Sequence, residues 1–211
     1  MKLLPVVLAL GILPMFAADH NAPIRLYYEF RQEPQSAVLA PIQKELDKIM
    51  QPAGLSFEWL ALPAQVGDGA SVEVAIIHFN GRCEVGGPQY ERRAPGPLGW
   101  TLITDGQILP FIEIDCEQVQ SFLLPDLLRL QGHFRTIAFG TAVARVLAHE
   151  LYHMLLKTTA HSSSGVASAR FTAQQLLTDA LRFNRKQCEE LRAYGEYLSA
   201  MIPDLGTAGD R

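Results

Sequence analysis

No run of lysine or arginine occurs anywhere in these 211 residues, and a formal charge of −4 leaves no basic surplus to neutralise a phosphate backbone. Nucleic acid is thereby set aside as a partner. The chain also lacks low-complexity tracts and internal repeats, which excludes a disordered linker and a solenoid. There are only three cysteines, Cys83, Cys116 and Cys188. None has the spacing of a zinc ribbon, so they are expected to be structural. Beyond the first residues, no apolar stretch is long enough to cross a bilayer. What the chain does have is 48% hydrophobic against 19% charged residues, enough apolar surface to bury one core at this length.

The first residues carry an export signal. Met1-Lys2 gives a short positive start, Leu3 to Phe16 is apolar, and Ala17-Ala18 offers the small residues a signal peptidase needs. Residues 1–17 are therefore expected to be a removed signal peptide, with 18–211 forming one domain in a secreted or periplasmic protein. Pro5, Gly11 and Pro14 interrupt the apolar run, which is short for a span, so no stable membrane insertion is expected after cleavage. In an oxidising compartment Cys83 and Cys116, at the ends of predicted strands, can bridge around a loop rich in glycine and proline. Cys188 is left as a small apolar residue on a helix.

Hydrophobic spacing divides the remainder into strands first and helices afterwards. Ile24 to Phe30 reads as a strand and Ser36 to Met50 as a helix, in which Pro41 demands either a later start or a kink. Gly54 ends that helix. Leu55 to Leu62 and Val72 to Phe79 read as further strands, the second so apolar that it belongs at the centre of a sheet. Leu98 to Thr104 and Pro110 to Cys116 flank a turn at Asp105-Gly106. Helices follow over about Gln118 to Leu130, Thr136 to Leu156 and Ala173 to Met201, the last opened by a capping box of Thr172 and Gln175. This order predicts an α+β domain.

The chemistry lies in His149-Glu150-Leu151-Tyr152-His153. This is H-E-x-x-H within the apolar stretch AVARVLAHELYHMLLK. On a helix, positions i and i+4 share a face, so both imidazoles can grip one ion. Glu150 lies about 100° further round, where it can reach a metal-bound water without being a ligand. With this composition the pentapeptide arises by chance in roughly one such chain in a hundred. A catalytic zinc takes three protein ligands and keeps a fourth position open. His161, just past the helix end, is the expected third ligand, with Asp179 the alternative. Glu189 and Glu190 sit in a charged stretch that reads as a solvated face.

HELYH followed by His161 and SSSGVAS resembles the zincin metallopeptidases, closest to the metzincins, and a group of small exported bacterial proteins with H-E-x-x-H, seven residues, then H-S-x-x-G. The resemblance implies a mixed N-terminal sheet beneath the active-site helix, and an edge strand, here Leu98 to Thr104, that pairs with extended substrate. It further implies a metallopeptidase with one catalytic Zn2+ on His149, His153 and His161, acting on peptide or protein through a zinc-bound water activated by Glu150. Two positions depart from the metzincin pattern. Leu156 and Thr159 stand where its glycine and third histidine would, and Gly165-Val166-Ala167 stands at the methionine turn with alanine in place of methionine.

Two other functions fit the same motif: a non-catalytic zinc- or peptide-binding domain on a zincin scaffold, and hydrolysis of an ester or of RNA, the latter disfavoured by the charge. Among the remaining residues, His78 reads as a hydrogen-bonded sheet histidine, and His20 and His133 as surface residues. Tyr152, Tyr194 and Tyr197 read as packing residues, with oxyanion stabilisation as the functional alternative. Arg145, one turn before His149, has no function legible from its position.

Overall fold

The structure, a computed structural model, describes residues 23–34, 37–63, 73–85, 93–178 and 181–201. The predicted leader with its Ala17-Ala18 junction, His20 and Asp179 lie outside the described residues.

Strand β1 (Ile24–Gln32) buries Ile24 and Leu26 against the helices, while the intervening Arg25 and Tyr27 fall on the other face of the sheet. It leads into α1 (Leu39–Met50), whose Ile42, Leu46 and Ile49 form the inward stripe. Pro41 falls in the first turn of α1, where its missing N–H costs no helical hydrogen bond, so of the two expected alternatives, a later start or a kink, the later start is observed. A 3-10 turn over Gln51–Ala53 ends at Gly54, which adopts a left-handed φ of 71°. Strand β2 (Phe57–Ala61) then runs parallel to β1, and β3 (Val74–Arg82) lies parallel on the other side of β1.

The sheet order is β2-β1-β3-β5-β4, so the apolar β3 is central, as its composition predicts. Strands β4 (Gly99–Thr104) and β5 (Gln107–Asp115) form an antiparallel hairpin, with β5 parallel to β3 and β4 at the edge. Asp105 and Gly106 both have positive φ, 51° and 76°, the two-residue turn that suits right-twisted strands. Pairing shifts between Thr101 and Ile103, opposite the stretch containing Pro110, which has no N–H to give the ladder.

Helix α2 (Cys116–Leu127) starts directly off β5, capped by the Asp115 carboxylate accepting from Gln118 N at 2.9 Å. Cys83 and Cys116 are joined by the expected disulfide, which ties the end of β3 to the first residue of α2. Helix α3 (Gly132–Leu156) is the long central helix, and its half from Ala142 to Leu155 is buried on all sides, as befits a helix enclosed by a sheet and other helices. Gly140 permits the close crossing of α1, because a Cβ there would lie 2.8 Å from Pro41 Cγ. Arg145, fully buried, donates to Glu45 Oε1 of α1 from Nε at 2.9 Å and from Nη2 at 2.6 Å.

The final helix departs from expectation. Instead of one helix from Ala173 to Met201 there are two, α4 (Ala173–Leu177) and α5 (Arg185–Met201). The predicted Thr172–Gln175 capping box opens α4, but Thr178 turns extended (φ −98°, ψ 154°). Helix α5 has its own cap, in which Asn184 Oδ1 accepts from Gln187 N and Gln187 Oε1 accepts from Asn184 N, both at 2.9 Å. Leu181 and Phe183, in the connection, are buried core residues. The architecture is thus α+β: a mixed five-stranded sheet, a long helix carrying His149 and His153, and a C-terminal helix. Among the described residues no helix is long and apolar enough to cross a membrane.

Candidate metal centre

Helical spacing places His149 and His153 one turn apart on α3, with ring centroids 4.5 Å apart and Nε2 atoms at 3.0 Å. The helix stops at Lys157, which takes the left-handed conformation (φ 48°) while Thr158 N–H bonds back to the His153 carbonyl at 3.1 Å. The turn that the metzincin pattern would place at Leu156 is therefore made one residue later, at Lys157. The chain then returns over the helix end and brings His161 Nε2 within 3.2 Å of His153 Nε2. One ligand atom from each of the three histidines falls within 4.8 Å of the other two.

The loop beyond His161 supports this cluster from below. Ser162 N–H donates to the Ala167 carbonyl at 2.8 Å, closing a loop around Gly165. Gly165 has φ 80°, and a Cβ there would run into the Arg182 carbonyl, so this turn requires glycine. Val166 and Ala167 are buried. The Val166 carbonyl lies 2.8 Å from His149 Nδ1, and the Thr158 carbonyl 2.7 Å from His153 Nδ1.

These two contacts settle the tautomers. A carbonyl can only accept, so each Nδ1 carries the proton, and in the neutral ring each Nε2 presents a lone pair to the shared centre. Burial holds the rings neutral: it pushes the His149 pKa down to about 4 and lowers that of His153, against the opposing hydrogen bonds to the carbonyls. Converging lone pairs repel each other, and a cation relieves that repulsion. Three imidazole nitrogens, two of them oriented by backbone acceptors, are a donor set for zinc or another transition metal, not for calcium or magnesium. The residues present therefore fit the metal that the sequence motif implies.

Glu150 is 6% exposed and opens on the same cleft. Burial raises its carboxyl pKa to about 7, against the lowering effect of a hydrogen bond from Thr101. Thr101 belongs to edge strand β4, and its hydroxyl lies 2.9 Å from Glu150 Oε2 and 3.1 Å from the Glu150 carbonyl. The cleft itself, about 570 Å³, runs between β4 and the metal centre. Apolar residues dominate its walls, among them Trp100, Ile103, Phe122, Val146 and Phe171. Phe171 sets its edge against the His149 ring, 5.4 Å between centroids.

The sequence-predicted residues His149, Glu150, His153 and His161 thus meet in one cleft. The others do not join them. His78 bonds Glu113 through Nδ1 at 2.7 Å on the sheet, His133 is exposed, and Glu189 and Glu190 pair with Arg185 and Lys186 on the surface of α5. Tyr152 packs on Phe183, Tyr194 donates to Glu73 at 2.6 Å, and Tyr197 is largely exposed. None of these tyrosines lines the cleft. Sequence inspection missed Thr101, whose strand was legible but whose partner was not, and the carbonyls of Val166 and Thr158, which leave no signature in side-chain identity.

No family model matches the sequence, and no curated protein does. Among solved structures, a zinc-dependent peptidase from Methanocorpusculum labreanum aligns over 80% of this chain and 99% of its own at 13% identity, with a TM-score of 0.49. The archaemetzincin of Methanopyrus kandleri aligns over 85% of this chain and 99% of its own at 12% identity, with a TM-score of 0.51. The chain described here therefore shares the archaemetzincin fold, with an H-E-x-x-H helix and a third histidine at its centre.

Proposed function

We propose that the protein is an exported, zinc-dependent peptidase. The observation that carries this is the convergence of three imidazoles, two of them oriented by backbone carbonyls, with a buried carboxylate held in the same cleft. His149, His153 and His161 would hold the metal. Zinc, when bound there, supplies a Lewis acid that lowers the pKa of water and polarises a carbonyl. Glu150 takes a proton from the attacking water and returns it to the leaving nitrogen, a double duty suited to a carboxyl with a pKa of about 7. Thr101 keeps that carboxylate turned towards the cleft. Strand β4 borders the cleft and is an edge strand of the sheet among the described residues, which suits an extended peptide bound by strand addition. The basic start, apolar run and Ala17-Ala18 of the leader support export, as does a disulfide within the core.

Metal analysis of the mature protein should return about one zinc per chain, and His161→Ala should lose it. If His161→Ala keeps its zinc, the third ligand lies elsewhere, with Asp179 the next choice. Glu150→Gln should retain zinc and lose hydrolysis of a peptide library by a factor on the order of 10²–10⁴. Full activity in Glu150→Gln would refute the role given to this carboxylate. Stoichiometric zinc without turnover of any peptide would point to a binding domain on the same scaffold.

A further inference from the structure

We infer that the cleft recognises a carboxylate through Arg170, and so selects peptides carrying one close to the scissile bond. This rests on the peptidase assignment of the same cleft. Apart from Glu150 and the histidines, Arg170 is the ionisable residue lining the cleft. The rest of the wall is apolar or uncharged, so its charge is not diluted by neighbours.

Among the described residues Arg170 forms no hydrogen bond and no ion pair, and this sets it apart. Each of the other described arginines meets a carboxylate or a backbone carbonyl: Arg93 bonds Asp115, Arg145 bonds Glu45, and Arg192 bonds the Pro52 carbonyl. Elsewhere in the fold a guanidinium is routinely answered. Here the guanidinium belongs to an exposed residue lining the same cleft as the three imidazoles that would hold a divalent cation. Two positive groups in one cleft raise its potential, and an anion entering it interacts favourably with both.

The backbone presenting Arg170 is anchored on either side. Phe171, the next residue, packs against the His149 ring, and Ser168 is fastened by its N–H to the Gly165 carbonyl at 3.2 Å. Guanidinium and carboxylate match in geometry as well as charge, forming two parallel N–H to oxygen bonds.

Two sources offer this chemistry: the C-terminal carboxylate of a peptide, or an aspartate or glutamate side chain. Binding to the full mature, zinc-loaded Glu150→Gln protein separates them without turnover, read by calorimetry and by the fluorescence of Trp100 in the cleft. The first pair of probes is acetyl-Leu-Phe-Ala-Leu-Ala with a free C-terminus and its C-terminal amide. The second is the amide with glutamate, and then glutamine, scanned through each position. One pair should show the acidic member binding on the order of tenfold tighter, and adding Arg170→Gln should bring that ratio to about one, with Arg170→Lys recovering part of it. Peptide binding with no acid preference, or a preference that survives Arg170→Gln, would overturn the role of Arg170 while leaving the peptidase assignment intact. Failure of every peptide to bind would overturn both.

Discussion

Replacing Thr101 with valine removes one hydroxyl from the site and leaves its shape nearly unchanged. Valine cannot donate the hydrogen bond that Thr101 Oγ1 offers Glu150 Oε2 at 2.9 Å. Glu150 is 6% exposed, and burial already lifts its pKa to about 7 from an ordinary 4.5 while Thr101 pulls the other way. A hydrogen bond to a buried charged group contributes roughly 1.5–3 kcal/mol, against about 0.5–1.5 for one between neutral groups. At 1.36 kcal/mol per unit, the difference should raise the Glu150 pKa by about one further unit in Thr101→Val. Because the folded pKa lies above the unfolded one, the associated stability is complete below about 4.5 and is lost as pH rises through about 7. In the variant that loss continues through a higher folded pKa. Urea denaturation of the metal-free protein should therefore show Thr101→Val destabilised by about 1 kcal/mol at pH 5, where Glu150 is protonated in both proteins, and by about 2–3 kcal/mol at pH 9. Thr101→Ser should track the wild type. A deficit that is the same at both pH values would refute the coupling between strand β4 and this carboxylate.

Two further outcomes concern the scaffold. Arg145→Met leaves the Glu45 carboxylate buried without its main partner, so the melting transition should fall by the equivalent of about 3–5 kcal/mol, and Glu45→Met in the same chain should restore much of the loss; additive losses in the double variant would contradict the pairing. Replacing Cys83 and Cys116 by alanine opens a loop with a sequence separation of 33 and should cost about 4 kcal/mol in guanidinium denaturation, a loss that a reducing agent should reproduce in the wild type but not in the variant.

How much of this was legible in the sequence depended on how local each signal was. The i, i+4 spacing of His149 and His153, the Asp105-Gly106 turn and the apolar centre of β3 are written in neighbouring residues, and each predicted its local structure. The Thr172–Gln175 cap was read from the same kind of signal. The cap at Asn184 and Gln187 has the same form, but Leu177, Leu181 and Leu191 stand at helical spacing across it, and that pattern reads as one helix where there are two. Arg145 in an apolar helix was conspicuous, yet its partner Glu45 lies 100 residues away and nothing local names it. The same holds for Thr101 and Glu150. The carbonyls that orient the imidazoles belong to Val166 and Thr158, whose side chains carry no trace of the task, and only the fold brings them to the rings.

The tight Asp105-Gly106 turn has a reach beyond the hairpin it closes. Side chains alternate along a strand, so Thr101 meets Glu150 only while the hairpin keeps its present register. Lengthening that turn by a single residue would offer the sheet a competing alignment in which an indole or an isobutyl group stands over the carboxylate. The two residues of this turn therefore decide which functional group the proton-carrying side chain encounters.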